Sequence, residues 1–379
     1  MNKILITTYS FYPEITPRSF RVFELAKEFR RRDYEVDIMI PEIDYDFTEL
    51  SEMYNFNVYK ISSGFLFNKN AKSKNIKKGT INEQKSLIKN ILISISKFFY
   101  LGGKSFEYAF SLYNQLMKLD RKQYEIVLSV GLPISVHLGT ALYLNRIKPK
   151  ISIADYGDPF SFNNELESKF HFKFIEKMIL NKFDYITVPI REAVKNYTFF
   201  KDKKFIKVIP QGFDFSTIKI AEYKKNHILS FGYAGVFYEK IRNPKVLFEY
   251  LVKLDFDFRF VIYTDRDKLQ NMKLIKPYMD LLGNKLLVKS LIPREECIYN
   301  LSKMDFIINQ NNLGEEQKPS KLIDYALTKR PVFNFTQNNF IAGDLLLFVN
   351  EKVDFNIENV SMYKIENIVD SFEVIFNKE

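Results

Sequence analysis

Long apolar runs are missing from this chain of 379 residues. No uncharged stretch reaches the roughly 18 residues that a membrane-spanning helix requires. The single cysteine, Cys297, excludes a disulfide framework and a cysteine-built metal site, and it fits a reducing compartment. Only three histidines occur, His137, His171 and His227, and their scatter gives no zinc spacing. No internal repeat or low-complexity tract is visible. The opening "MNKILITTYSFYPE" has a short apolar run that reads as a buried strand, without the pattern of a secretory signal. These absences lead us to expect a cytoplasmic protein that does not cross a membrane.

What the chain does contain is enough apolar material for two domains. Its hydrophobic fraction of 46% and charged fraction of 27% describe an ordinary folded protein, and its length exceeds the size at which single cores stop growing. The net charge of +10 is unevenly placed: Lys60 to Lys104 holds ten lysines and one acid, Glu83. Apolar clusters such as "SGFLF" and "LIKNILISISKFFYLGG" interrupt those lysines. A basic segment of this kind suits an anionic membrane surface, where each lysine contributes about 1 kcal/mol. It also reads as a solvated basic loop followed by a core helix. A nucleic-acid partner is not expected, since no reading helix or aromatic platform accompanies the charge.

The pattern along the chain alternates. "KILITT", a loop "YSFYPEITP", the helical "RSFRVFELAKEFRRR" and "YEVDIMI" form a strand, loop, helix and strand, which makes a βαβ unit on a parallel sheet. Helical spacing puts Phe20, Phe23 and Ala26 on one stripe, with Val22, Leu25 and Phe29 beside it. The strands "YEIVLSV", "KISIADY", "YITVPI" and "FIKVIPQG" continue the series. After a polar stretch beyond Asp214, "ILSFGYAG" opens a second series through "FRFVIYT", "KLLVKSLI", "DFIINQ" and "PVFNF". The expected architecture is α/β, with two Rossmann-like domains facing each other across a cleft. We place the first over residues 1–215 and the second over 216–360, with a C-terminal helix at 361–379 that can pack back on the first.

Ligands of doubly wound sheets gather at the carboxyl ends of the strands, so the loops there hold the candidates. In the first loop, Pro13, Glu14, Pro17 and Arg18 form a stiff turn into a helix N-terminus, with Arg21 one turn on; it reads as an anion site or as plain turn chemistry. "ADYGDPF" carries Asp155 and Asp158, with Gly157 between them permitting close backbone approach; either carboxylate can orient a sugar hydroxyl, act as a base, or simply cap a turn. "FGYAG" followed by "VFYEKIR" supplies Gly232, Gly235, Lys240 and Arg242, which suit a diphosphate cradle or an ordinary strand-to-helix turn. The pairs Asp44/Asp46, Asp255/Asp257 and Asp265/Asp267 have spacing for a divalent cation, yet no further oxygen ligands stand near them, and no metal is expected. Finally, "EEQKPSKLIDYALTKRPV" sets Glu316 and Asp324 eight apart around Ser320, a good N-cap, and Lys321. By itself it reads either as a capped surface helix or as a ligand site.

Taken in order, "KILITTYSFYPEITPRSFRVFELAKEF", "YEIVLSVGLPISVHLGTALYL", "IADYGDPF", "VIPQGFD", "FGYAGVFYEKIRNPKVLFEYL", "DFIINQ" and "PSKLIDYALTKRPV" resemble the GT-B glycosyltransferases of the retaining family 4. The likeness is strongest to members that build bacterial capsule and O-antigen polysaccharides, and it runs from Met1 to about Phe335. It implies a hexose-type sugar moved from a nucleoside-diphosphate donor to a lipid-linked or saccharide acceptor, on the inner membrane face and without a metal. It implies that Glu316 meets the donor sugar and Asp324 the ribose, although a glutamate is usual at the second position. Of the family's two phosphate-binding cations, the lysine falls on Arg242 and the arginine on Phe237, which leaves Lys240 or Lys321 as substitute, with Gly235 the glycine of phosphate approach and Ser320 the cap. Glu14, Arg18 and Asp155 would face the acceptor, with Asp158, Glu316 and Arg242 at the reacting centre. A different class of reading is a non-catalytic GT-B module that binds a protein or glycan.

Overall fold

The structure is a computed structural model, and it describes residues 2–14, 16–62, 106–119, 124–162, 170–216, 218–311, 321–350 and 360–377. The elements run β1 (Lys3–Thr8), α1 (Pro17–Arg31), β2 (Glu35–Pro41), α2 (Thr48–Tyr54), β3 (Asn57–Ile61), α3 (Phe106–Leu116), β4 (Ile126–Gly131), α4 (Ile134–Leu144), β5 (Ile151–Tyr156), α5 (Phe170–Leu180), β6 (Tyr185–Val188), α6 (Val194–Tyr197) and β7 (Ile206–Val208). They continue through β8 (Leu229–Ala234), α7 (Lys245–Leu251), β9 (Phe258–Thr264), α8 (Leu269–Leu282), β10 (Leu286–Ser290), α9 (Arg294–Leu301), β11 (Phe306–Gln310), α10 (Lys321–Leu327), β12 (Val332–Phe335), α11 (Ala342–Asn350) and α12 (Ile365–Phe376). The chain divides into two compact units, Met1–Phe213 with Tyr363–Glu379, and Asp214–Met362. The basic segment that follows Lys60 lies almost wholly outside the described residues. Among the described residues no helix is long and apolar enough to cross a membrane.

The first unit holds a seven-stranded sheet in the order β3-β2-β1-β4-β5-β6-β7, parallel throughout. Strands β4 and β5 are buried at every residue, as expected of parallel strands covered on both faces. The order reverses between β1 and β4. Helix α1 begins where Thr16 caps it, its side chain accepting from Ser19 N at 3.2 Å, with Pro17 in the first turn. Its buried face is Val22, Leu25, Ala26 and Phe29. Phe20, expected on the inward stripe, is 42% exposed instead; Phe23 turns sideways against Tyr12 and Tyr54, at ring centroid distances of 5.6 and 5.4 Å. Helix α12 returns to this unit and closes over α1 through Phe372 and Phe376, which pack on Phe29. Arg32 ties the two helices together by donating to Asp370 and Glu373, each at 2.6 Å.

At the heart of this unit Arg21 meets Asp155. The guanidinium donates to both carboxylate oxygens, Nε to Oδ2 at 2.6 Å and Nη2 to Oδ1 at 2.7 Å. Thr187 of β6 donates to Oδ1 at 2.5 Å, and Arg21 also donates to the carbonyls of Ile209 and Pro210. One buried cluster thus joins α1, β5, β6 and the chain leaving β7. His137 of α4 is likewise internal: Ser129 lies 2.8 Å from its Nδ1, and burial pushes its imidazole down to about 3, so it is a neutral core group.

The second unit holds a five-stranded parallel sheet ordered β10-β9-β8-β11-β12, which reverses between β8 and β11. Its core stacks Phe231 against Phe260 and Phe306 at 4.8 and 4.7 Å. Gly232 lies directly beneath α9: a Cβ there would come within 2.4 Å of Leu301. That glycine serves packing, not a ligand.

Removing one partner of a buried ion pair strands a charge, whereas an exposed pair contributes little. Arg21→Met is therefore expected to lower the stability of the first unit by about 3–5 kcal/mol in urea unfolding. Arg18→Met, which breaks a pair with side chains 32% and 43% exposed, should cost about 1 kcal/mol or less. Equal losses would contradict the structural role given to Arg21.

Candidate active site

In the second unit the switch between β8 and β11 is built by the end of β8. Tyr233 points inward and stacks on Phe237 at 4.3 Å; Phe237, which falls where the family resemblance has an arginine, is 1% exposed and belongs to the core. Between them Gly235 has φ +135°, a conformation that L side chains rarely adopt, so glycine is required for the turn. Its N–H does not face an open cradle: it donates to Tyr263 O at 2.9 Å and extends the β8–β9 pairing. Asn271 of α8 fixes the same loop. Its Oδ1 accepts from Phe237 N at 2.9 Å, and its Nδ2 donates to Thr264 Oγ1 and Asp265 O, each at 2.8 Å.

The chain then makes a tight loop, not a helix. Tyr238 and Arg242 exchange backbone hydrogen bonds at 3.1 and 3.0 Å, which puts Glu239, Lys240 and Ile241 at an exposed tip. The Arg242 side chain folds back to donate to Val236 O at 3.2 Å, and its guanidinium lies 5.9 Å from the Tyr238 ring. Burial pushes the nearby Tyr233 hydroxyl up to about 12, with Arg242 opposing that shift. Lys268, just ahead of α8, reaches the same tyrosine: Nζ is 4.5 Å from the ring centroid and donates to the hydroxyl at 3.3 Å. Two cations from different strand ends therefore converge on Tyr238. Sequence spacing singled out Arg242 and missed Lys268, because its contact with Tyr238 joins positions 30 residues apart.

Helix α10 is fastened to this edge by Tyr325. Its hydroxyl accepts from Ala234 N and donates to Ala234 O, both at 3.0 Å, straddling the last residue of β8. Asp324, the preceding residue, is paired with Arg294 of α9 at 2.5 Å. Burial raises the Asp324 carboxyl above its ordinary range, and Arg294 opposes that shift. Of the remaining donor-site expectations, Glu316 and Ser320 lie outside the described residues, and Lys321 is placed only as the first residue of α10. Asp265 accepts from Asp267 N at 3.1 Å, so its carboxylate shapes its own turn. Asp46 does the same with Thr48. Among the described residues no group of three or more metal-ligating side chains forms.

In the first unit Arg18 and Asp158 meet at the carboxyl edge of the sheet, with Nη2 to Oδ2 at 2.8 Å. Glu14 is exposed in the turn before α1, its N–H on Phe11 O. Asp155, expected to face an acceptor, has no exposed surface, and its carboxylate is engaged by Arg21 and Thr187. The reason is its place inside β5, whereas Asp158 sits beyond the strand end.

The sequence matches no protein-family profile and no curated protein. Solved structures match along the whole chain. Anabaena HepE, in complex with UDP and glucose, superposes with a TM-score of 0.60 at 10% identity, covering 99% of each chain. TarM gives a TM-score of 0.61 at 14% identity, covering 100% of this chain and 99% of its own. A glycosyltransferase from Rickettsia africae gives 0.59 at 14% identity, covering 99% and 94%. These likenesses establish the fold: the chain has the GT-B architecture, an α/β fold of two Rossmann-like units.

Losing the Tyr325 hydroxyl would leave the part-buried amide and carbonyl of Ala234 without that partner, at a cost of about 1–3 kcal/mol. Tyr325→Phe should destabilise the second unit by that amount in urea unfolding, with the cavity unchanged. Stability equal to wild type would mean that α10 is held by other contacts.

Proposed function

We propose that the chain is a glycosyltransferase that takes its sugar from a nucleoside diphosphate held by the second unit. The observation that carries this reading is the convergence of Arg242 and Lys268 on Tyr238, beside the Gly235 turn, at the sheet edge where doubly wound folds bind nucleotides. Arg242 and Lys268, helped by Lys240 and Lys321, neutralise the diphosphate. Charge on that diphosphate grows as the glycosidic bond breaks, so preorganised cations there lower the barrier. Lys268 stands in for the arginine whose position Phe237 occupies. Glu316 accepts from hydroxyls of the transferred sugar, Asp324 accepts from the ribose, and Ser320 caps the helix between them. In the first unit Arg18, Glu14 and Asp158 receive the acceptor, and Asp155 braces them from within.

The solved relatives support this chemistry. HepE has been captured with UDP-glucose, and TarM of S. aureus with UDP, fondaparinux and alpha-GlcNAc-glycerol. WaaB is a lipopolysaccharide outer core galactosyltransferase, with a TM-score of 0.56 at 12% identity. On that support we read the substrate as a hexose-type donor, the outcome as retention by front-face attack, and the setting as surface polysaccharide assembly of the capsule or O-antigen kind. No metal takes part in this scheme, and turnover should be insensitive to EDTA.

Nucleotide binding is measured by thermal shift with UDP, GDP and ADP, since a ligand at a hundredfold its Kd stabilises the folded state by about 2.7 kcal/mol. One of the three should raise the transition, and Arg242→Ala and Lys268→Ala should each weaken its affinity about tenfold or more while leaving that of the parent nucleoside unchanged. No shift with any of them would overturn the donor assignment. The basic residues from Lys60 to Lys104 are proposed to meet an anionic membrane surface at the inner face. The protein should then sediment with phosphatidylglycerol vesicles, and retained binding after those lysines are changed to glutamine would contradict the proposal.

A further inference from the structure

Asp324 is shorter than a glutamate by one methylene, so how its carboxylate is aimed decides what it reaches. Arg294 holds it through two N–H groups on one oxygen: Nε and Nη2 donate to Oδ1 at 2.8 and 2.5 Å. Two donors use both lone pairs of Oδ1 and leave Oδ2 as the oxygen able to accept. The two side chains remain 29% and 26% exposed, so the pair borders solvent and can meet a ligand. Neither partner can drift far, because Arg294 opens α9 directly after Pro293 and the Tyr325 clamp fixes α10 on Ala234. From this geometry we infer that Arg294 is a positioning residue, which orients Asp324 as a single-oxygen acceptor for one ribose hydroxyl of the donor. The inference rests on the glycosyltransferase reading above.

The charges around the pair give it a signature that a merely structural contact would lack. Burial raises the Asp324 carboxyl, and Arg294 is the cation that opposes it. From α9, Cys297 also faces Asp324, but burial pushes its thiol up to about 12 and it stays neutral. Tyr325 on α10 and Tyr263 on β9 are both raised by burial and are neutral too; Glu296 adds negative charge beside Cys297. A carboxyl already raised by burial rises further once its cation is gone. It then keeps its proton to a higher pH, and hydroxyl acceptance fails as pH falls through that higher value.

The test compares calorimetric affinities of UDP, GDP and ADP with those of their 2′-deoxy and 3′-deoxy forms, in the wild type, Arg294→Gln, Arg294→Lys, Asp324→Asn and the Arg294→Gln/Asp324→Asn pair. For the nucleotide that binds, one deoxy form should bind wild type about 10- to 100-fold more weakly than the parent, the value of a hydrogen bond to a charged group. In Arg294→Gln that factor should fall to about threefold or less near neutral pH and recover partly as pH rises, while Arg294→Lys restores most of it. Asp324→Asn should abolish the factor at every pH, and the double variant should be no worse than Asp324→Asn alone. The inference is overturned if Arg294→Gln keeps the wild-type factor across pH, or if wild type does not distinguish the deoxy forms. Failure of wild type to bind any of the three parents overturns the glycosyltransferase reading itself.

Discussion

A parallel sheet covered on both faces can do chemistry only at its carboxyl edge, and both units of this chain depend on how that edge is closed. The central strands β4, β5 and β11 are buried along their length, so their backbone groups are spent in the ladder and most of their side chains in the core. What stands at the edge is set by a few polar contacts that reach across elements. In the first unit Arg21 and Asp155 lock α1 to β5 and leave Arg18 and Asp158 at the rim. In the second, Tyr325 on Ala234 and Asn271 on Phe237 fix the two loops that flank the point where strand order reverses.

The two edges divide their charges differently. At the first, the cation and the carboxylate neutralise one another: Arg18 is paired with Asp158. At the second, Arg242 and Lys268 both approach Tyr238, so positive charge accumulates around that ring. Asp324, on the helix that Tyr325 fastens to the end of β8, carries its own guanidinium. On the function proposed above, the two cations take the diphosphate and the paired carboxylate takes a hydroxyl.

Much of the fold was legible in the sequence, because alternating apolar runs and helical stripes fix a βα series before any contact is known. The site was less so. Asp155 and Asp158 are three residues apart and chemically identical, and only the end of β5 decides that one is core and the other rim. The "FGYAG" glycines looked alike too, yet Gly232 makes room for Leu301 while Gly235 turns the chain. Phe20 misled for a related reason: helical spacing gives several overlapping stripes, and packing chooses among them. Lys268, Asn271, Arg294 and Tyr325 had no local signal at all, since each acts on a residue brought close only by the fold.

The central claim is that the carboxyl edge of β8 and β9 holds a nucleoside diphosphate. Its most direct measurement is a crystal structure with UDP, GDP or ADP, whichever the protein binds. The account predicts phosphate oxygens at about 3 Å from the Arg242 guanidinium and the Lys268 ammonium, over the Gly235 turn, with a ribose hydroxyl on Asp324 Oδ2. A nucleotide bound elsewhere, with Arg242 still folded on Val236 and no phosphate near Lys268, would contradict it.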